Sequence, residues 1–182
     1  MDYIINTRTL ALITEFDQYG NENTLVHELT DTFIINKRPI EIVEASFNYL
    51  GNGLEGAMRG ARQILNKKKL VPVALHVPLG IILFPCKLAK REGIAWLINK
   101  CIYTAEAIAD KITRVYLING ARVEVAMSFP VFQDKRNQSS FLYTTLNGRY
   151  DLNNWPSPFL NEDVKKIAEK KAEYIVLKKD ED

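Results

Sequence analysis

Most apolar residues in this chain fall in short runs cut by polar residues, glycine or proline, and few windows hold a helical period for long. Residues 9–16 (TLALITEF) and 24–28 (TLVHE) predict two short strands, joined by the polar DQYGNEN in a hairpin-like connection. TFIIN at 32–36 is β-branched and aromatic, with Pro39 soon after it, and predicts a third strand. EIVEASFNYLG then fits either a strand or a short helix, and periodicity leaves both open. Gly51, Gly53, Gly56 and Gly60 predict a flexible stretch leading into ARQIL and a run of lysines.

Pro72, Pro78 and Pro85 rule out a long helix in VPVALHVPLGIILFPC, because each lacks a donor and restricts the residue before it. A buried strand at 80–84 behind a turn is the best reading. IAWLI at 94–98 predicts a second apolar strand, with KLAKREG as an exposed basic loop between the two. The sharpest local signal is at 112–127, where Asn119-Gly120 separates ITRVYLI from ARVEVAM. Asn-Gly is the preferred pair for a two-residue type I′ turn, and Ala121, Val123, Val125 and Met127 alternate with Arg122, Glu124 and Ala126, so a half-buried hairpin is predicted. Beyond Pro130 a helix is predicted around 137–147. Another is predicted from Asn161 to about Leu177, with Asn161 as cap and Glu162 and Asp163 in its first turn. The order implies an α+β fold, with short antiparallel strands and hairpins in a sheet or partly open barrel and helices toward the C-terminus. Residues 1–150 read as one domain and 151–182 as a helical tail, with no internal repeat or low-complexity stretch.

Composition narrows the class. With 47% hydrophobic and 25% charged residues, the 182-residue chain is that of an ordinary globular protein. No apolar run approaches the roughly 18 residues of a membrane helix, and MDYIINTRTL lacks the marks of a signal peptide. A cytoplasmic protein is expected. Cys86 and Cys101 suit buried free thiols. Net charge is only +2, but its distribution is uneven. Residues 1–58 hold 3 basic and 9 acidic side chains, whereas residues 59–100 hold 9 basic ones against Glu92 alone. Such a basic centre is the footprint of a polyanion binder.

Gly51-Asn52-Gly53-Leu54-Glu55-Gly56 is a literal GxGxxG. A dinucleotide site also needs a βαβ unit and an acidic residue about 20 positions on. No acidic residue lies between Glu55 and Glu92, and the prolines forbid the alternation of strand and helix. The glycines therefore read as turn and packing residues, or as a loop that lets backbone N–H groups approach a phosphate beside Arg59 and Arg62. His27, His76, Cys86 and Cys101 have no metal-ligand spacing, and both histidines have apolar neighbours. No nucleophile motif is present, and carboxylate pairs such as Glu41 and Glu44, or Glu15 and Asp17, read as a solvated face. No catalytic residue, cofactor or metal is called for.

The basic cluster carries the chemistry. Arg59 and Arg62, three apart, would share a helix face. Lys67, Lys68 and Lys69 follow as point charges suited to phosphates, and Lys87, Lys90 and Arg91 form a second group. The candidates for DNA contact are these eight residues. An acidic protein partner, or a solvated basic surface without a partner, fits the same composition, and an enzyme using nucleotides through the glycine segment is a third reading.

INKRPIEIVEASFNYLGNGLEGAMRGARQIL resembles the middle of the ComK family of competence transcription factors. There a strand and a proline-led apolar segment precede an aromatic, two spaced glycines, and a basic residue ahead of a third glycine. IILFPC and GIAWLI are similar to the family's next two strands, and the resemblance runs through the Asn-Gly hairpin to cover residues 3–150. Ala57 and Met58 stand between Gly56 and Arg59, where the family places a basic residue directly, and the tail with NWPSPFL has no match. The resemblance implies an activator that binds paired A·T-rich promoter boxes mainly through the minor groove. It would act as a homodimer or dimer of dimers under a proteolytic adaptor. By motif, Gly51, Gly56, Arg59 and Gly60 match the glycine and basic segment, with Arg59 the expected DNA contact. Phe84, Pro85 and Trp96 match the strands, Phe84 and Trp96 as core.

Overall fold

Antiparallel pairing organises the computed structural model, which describes residues 3–67 and 69–150. Strands β1 (Thr9–Phe16), β2 (Glu22–Glu28) and β3 (Thr32–Ile35) come first, followed by helices α1 (Pro39–Tyr49) and α2 (Leu54–Leu65). Next are β4 (Val73–His76), β5 (Ile81–Lys87) and β6 (Ile94–Ile98), then a 3-10 turn, Asn99–Cys101. β7 (Ile102–Ala109), β8 (Ile112–Leu117), β9 (Arg122–Val125) and α3 (Phe129–Tyr150) complete the order. The strands form a six-stranded sheet in the order β3-β2-β1-β6-β5-β4 and a three-stranded sheet, β7-β8-β9. The fold is α+β in two sheets rather than one, and two of its helices lie mid-chain. The predicted tail helix at 161–177 falls outside the described residues. The chain divides into a unit spanning 1–147 and a second, 148–182, of which only the last turn of α3 is described.

Register sets the two faces of the larger sheet. Ile13 pairs with Leu25 and Ala95, Ala11 with His27 and Leu97, and Leu97 in turn with Phe84, so these residues share a face. Leu12, Val26 and Trp96 share the other. Both faces of β1 are covered, and Leu10, Ala11 and Leu12 are fully buried. The first face carries α3, whose Phe132 lies 6.0 Å from Phe84, and the apolar side of β8 and β9. The second carries α1. Segment 87–89 joins the sheets: Ala126 N–H donates to Lys87 O at 2.8 Å and Ala89 N–H to Glu124 O at 3.0 Å.

The segment left open between strand and helix is a helix. Pro39 occupies its first turn, where a missing N–H costs nothing, and the Glu41 carboxylate accepts the Arg38 N–H at 2.8 Å. Pro39, Ile42, Val43, Ser46 and Phe47 form its buried face, at helical spacing. The glycine stretch departs further from expectation, because Gly56 and Gly60 lie inside α2. Leu54, Ala57, Met58, Ala61, Ile64 and Leu65 recur on one face and pack against the core, and that burial outweighs the roughly 1 kcal/mol each glycine costs a helix. Only Gly51, with φ +71°, and Gly53, at the N-cap, serve the turn. With α1 rather than a strand before it, and no parallel pair in either sheet, the GxGxxG is not a dinucleotide loop.

Two strands had no sequence signal. β4 is a four-residue apolar piece hemmed in by Pro72 and Pro78, too short to stand out, and β7 is largely exposed and shows no half-buried alternation. Pro85 is tolerated in β5 because β4 pairs only with Ile81–Leu83. The predicted two-residue turn is a three-residue loop. Leu117 N–H donates to Ala121 O at 2.9 Å, and Gly120 alone takes a left-handed φ, +85°. Asn119 accounts for the difference: its Oδ1 accepts the Ala121 N–H at 3.0 Å, and its Nδ2 donates to Glu28 O at 2.9 Å, tying the hairpin to β2.

Candidate nucleic-acid interface

The amphipathic pattern of α2 that buries Ala61 leaves its opposite side to solvent. Arg59, Arg62 and Gln63, with Asn66 and Lys67 just past the helix, follow an i, i+3, i+4, i+7, i+8 spacing and line a shallow groove of about 430 Å³. Asn66 ends the helix in the left-handed region at φ +49°, and its N–H donates to Arg62 O. Placing the cations in the last turns also suits the negative end of the helix dipole. Among the described residues, Arg59, Arg62, Lys67, Lys69 and Lys87 have no carboxylate partner. All five are exposed, and Lys68 lies outside the described residues.

Gly56 and Gly60 lie on this open side. A Cβ on either meets nothing within 4 Å, so neither is required by packing within the chain, nor by a left-handed backbone. The lysine segment after α2 is held from α3, where Lys135 Nζ donates to Leu70 O at 2.9 Å. Burial holds the Lys135 ammonium below its ordinary pKa. The same burial pushes the Cys86 thiol up to about 12, and both cysteines are free and buried, as the composition suggested. Phe84 and Trp96 are buried too, in the places expected of core residues.

The second basic group does not extend this patch. α2 packs over Ile82 near the start of β5, while Lys87 ends the same strand, roughly 16 Å away at a strand's rise per residue. Lys90 and Arg91 are also engaged. Lys90 Nζ lies 2.8 Å from Glu124 Oε2, and Arg91 Nη1 lies 2.5 Å from Glu15 Oε1. Lys90 and Arg114 beside Glu124 hold its carboxyl below the ordinary range. Around them is a cleft of about 450 Å³ that also takes in Arg114 and Arg122. Neither arginine stood out in the sequence. The signal was the hairpin register, in which Arg114 faces Glu124 and Tyr116 faces Arg122.

Comparison with known proteins identifies the family. A protein-family model described as ComK protein matches residues 1–151. The chain belongs to the ComK family. It is similar to the competence transcription factor of Bacillus subtilis (strain 168), with 24% identity over 149 residues, covering 82% of this chain and 77% of that one. The matched span holds every described element of this ComK-family chain, α2 and the cleft included. No solved structure matches it. Among the described residues there is no helix long and apolar enough to cross a membrane and no cluster of metal-ligating side chains.

Proposed function

We propose that this protein is a DNA-binding transcription activator of the competence type, and that α2 is the element that meets the duplex. The carrying observation is the open side of α2, where Arg59, Arg62 and Lys67 stand unpaired around a groove. Unpaired exposed cations give up no ion pair when a phosphate arrives, and each phosphate neutralised releases counterions from the DNA. Membership of the ComK family, and similarity to a protein named as a competence transcription factor, support DNA as the ligand and transcription as its use.

The finer reading follows from the same side of α2. Gly56 and Gly60 offer bare backbone beside Arg59, and a surface without side chains lets a duplex come close. Arginines so placed suit a narrow A·T-rich minor groove, whose negative potential attracts inserted guanidinium groups. Lys67, Lys68 and Lys69 then act on flanking phosphates, with Lys87 as an outlying contact. Binding to paired boxes as a dimer or dimer of dimers, and turnover through a proteolytic adaptor, complete the reading.

A fluorescence-anisotropy titration tests it, using one duplex with paired A·T boxes and one G·C-rich duplex at two salt concentrations. The expected result is salt-sensitive binding that prefers the A·T boxes and is lost when Arg59 and Arg62 are both changed to alanine in a folded protein. Each arginine that contacts a phosphate contributes a salt slope of about 0.9, so the double variant should also flatten that slope. Unchanged affinity in the folded double variant overturns α2 as the interface, and no binding to either duplex overturns the DNA reading in favour of an acidic protein partner.

A further inference from the structure

The cleft between the two sheets has a different character from the open side of α2. Its floor is apolar: Ile13 and Leu25 come from the large sheet, Leu88 from the joining segment and Val123 from β9. Its rim is cationic, with Lys90, Arg91, Arg114 and Arg122. At about 450 Å³ it falls within the range of small-molecule sites, roughly 300–1,000 Å³, and it shares their make-up of apolar lining with a few convergent polar groups. It is also fixed in shape, closed along one side by the bonds of 87–89 to β9 and pinned by the Asn119 bond to Glu28.

We propose that this cleft binds a phosphorylated small molecule of mononucleotide size, separately from any contact with DNA. Three features select that class. Arg122 has no carboxylate partner among the described residues; its guanidinium is held 5.6 Å above the Tyr116 ring, placed and charged but not neutralised. A phosphate is its natural complement. The apolar floor then calls for a flat body of low polarity attached to that phosphate. The wall carries a charged cluster, Glu124 with Lys90 and Arg114, and so calls for polar groups at the edge of that body. A purine nucleotide carries all three parts. A duplex backbone carries only the first.

Isothermal titration of the full chain with AMP, adenosine and inorganic phosphate tests this. The expected result is saturable AMP binding, with adenosine and inorganic phosphate each at least about tenfold weaker, a difference of about 1.4 kcal/mol. Arg122→Ala and Arg122→Gln, both at an exposed position, should weaken AMP about tenfold with thermal melting unchanged, while the Arg59→Ala, Arg62→Ala double variant binds AMP normally. No saturable AMP binding up to about 1 mM overturns the proposal, as does inorganic phosphate binding as tightly as AMP, which would mean a general anion site. Loss of AMP binding in the α2 double variant would overturn it too. Failure of DNA binding in the anisotropy titration would leave this result untouched, so the two readings fall independently.

Discussion

Lys90, in the loop leaving the large sheet, places its ammonium 2.8 Å from the carboxylate of Glu124 on the small one. Arg114, on the neighbouring strand, approaches the same carboxylate at 2.9 Å, so one acidic side chain holds a cation from each sheet. Burying that carboxylate without its partners would be costly, and with them it is a link between the sheets.

Glu124 should therefore make the fold sensitive to acid. Its native pKa is held below the ordinary value of 4.5, first by Lys90 and then by Arg114. A depressed carboxyl pKa adds stability that is fully present above 4.5 and is lost as pH falls through the native value. Glu124→Gln should lower the melting temperature at neutral pH, and the gap to the parent protein should shrink below pH 4.5. Melting curves between pH 7 and pH 3 check this, and a gap of constant size would show that packing, not charge, is what the variant loses.

Gly93, which ends the basic loop, is irreplaceable for two separate reasons. Its φ of +122° is one that side chains rarely adopt, and a Cβ there would lie 2.5 Å from Thr14 Cβ. Thr14 cannot retreat, because it is fully buried and its Oγ1 accepts the Ile94 N–H at 3.1 Å. Gly93→Ala should cost at least about 2 kcal/mol in urea denaturation, strain and clash together. Gly51→Ala is the control: at φ +71° it has the strain but nothing within 4 Å, and about 1 kcal/mol is expected.

Asn119 links the hairpin both to itself and to β2. Asn119→Ala removes the acceptor of the Ala121 N–H and the donor to Glu28 O. A loss of about 1–2 kcal/mol is expected, at the rate of roughly 1 kcal/mol per hydrogen bond. Amide exchange should locate it: faster exchange confined to β8 and β9 agrees, whereas a uniform change across the large sheet does not.

Strands whose apolar residues face a core were legible from the sequence, which is why β1, β2, β5, β6 and the Asn-Gly hairpin stand where local pattern put them. β7 was not legible, because Thr104, Glu106, Ala107 and Ile108 face solvent and leave no alternation to read. α2 was hidden by its own glycines, although its apolar residues at 54, 57, 58, 61, 64 and 65 repeat at helical spacing. The cationic side of α2 was half visible, through the three-residue spacing of Arg59 and Arg62. The cleft was not visible at all, because its walls come from β1, β2, the 88–91 segment and the hairpin. Arg91 and Glu15, 76 positions apart, meet only through the β1–β6 pairing, which no local pattern encodes.

The glycines of α2 give the sharpest separation of stability from function. In an exposed helix interior, glycine is about 1 kcal/mol worse than alanine, and an added methyl at Gly56 or Gly60 meets nothing within 4 Å. Gly56→Ala and Gly60→Ala should each stabilise the protein by up to about 1 kcal/mol. If a duplex lies against that side of the helix, the same methyl groups stand between backbone and DNA, and affinity for A·T-rich DNA should fall about tenfold as stability rises. Urea denaturation and anisotropy on the same double variant check both halves. Higher stability with unchanged affinity would lift the duplex off the backbone at Gly56 and Gly60 and leave Arg59 and Arg62 to reach it with the ends of their side chains alone.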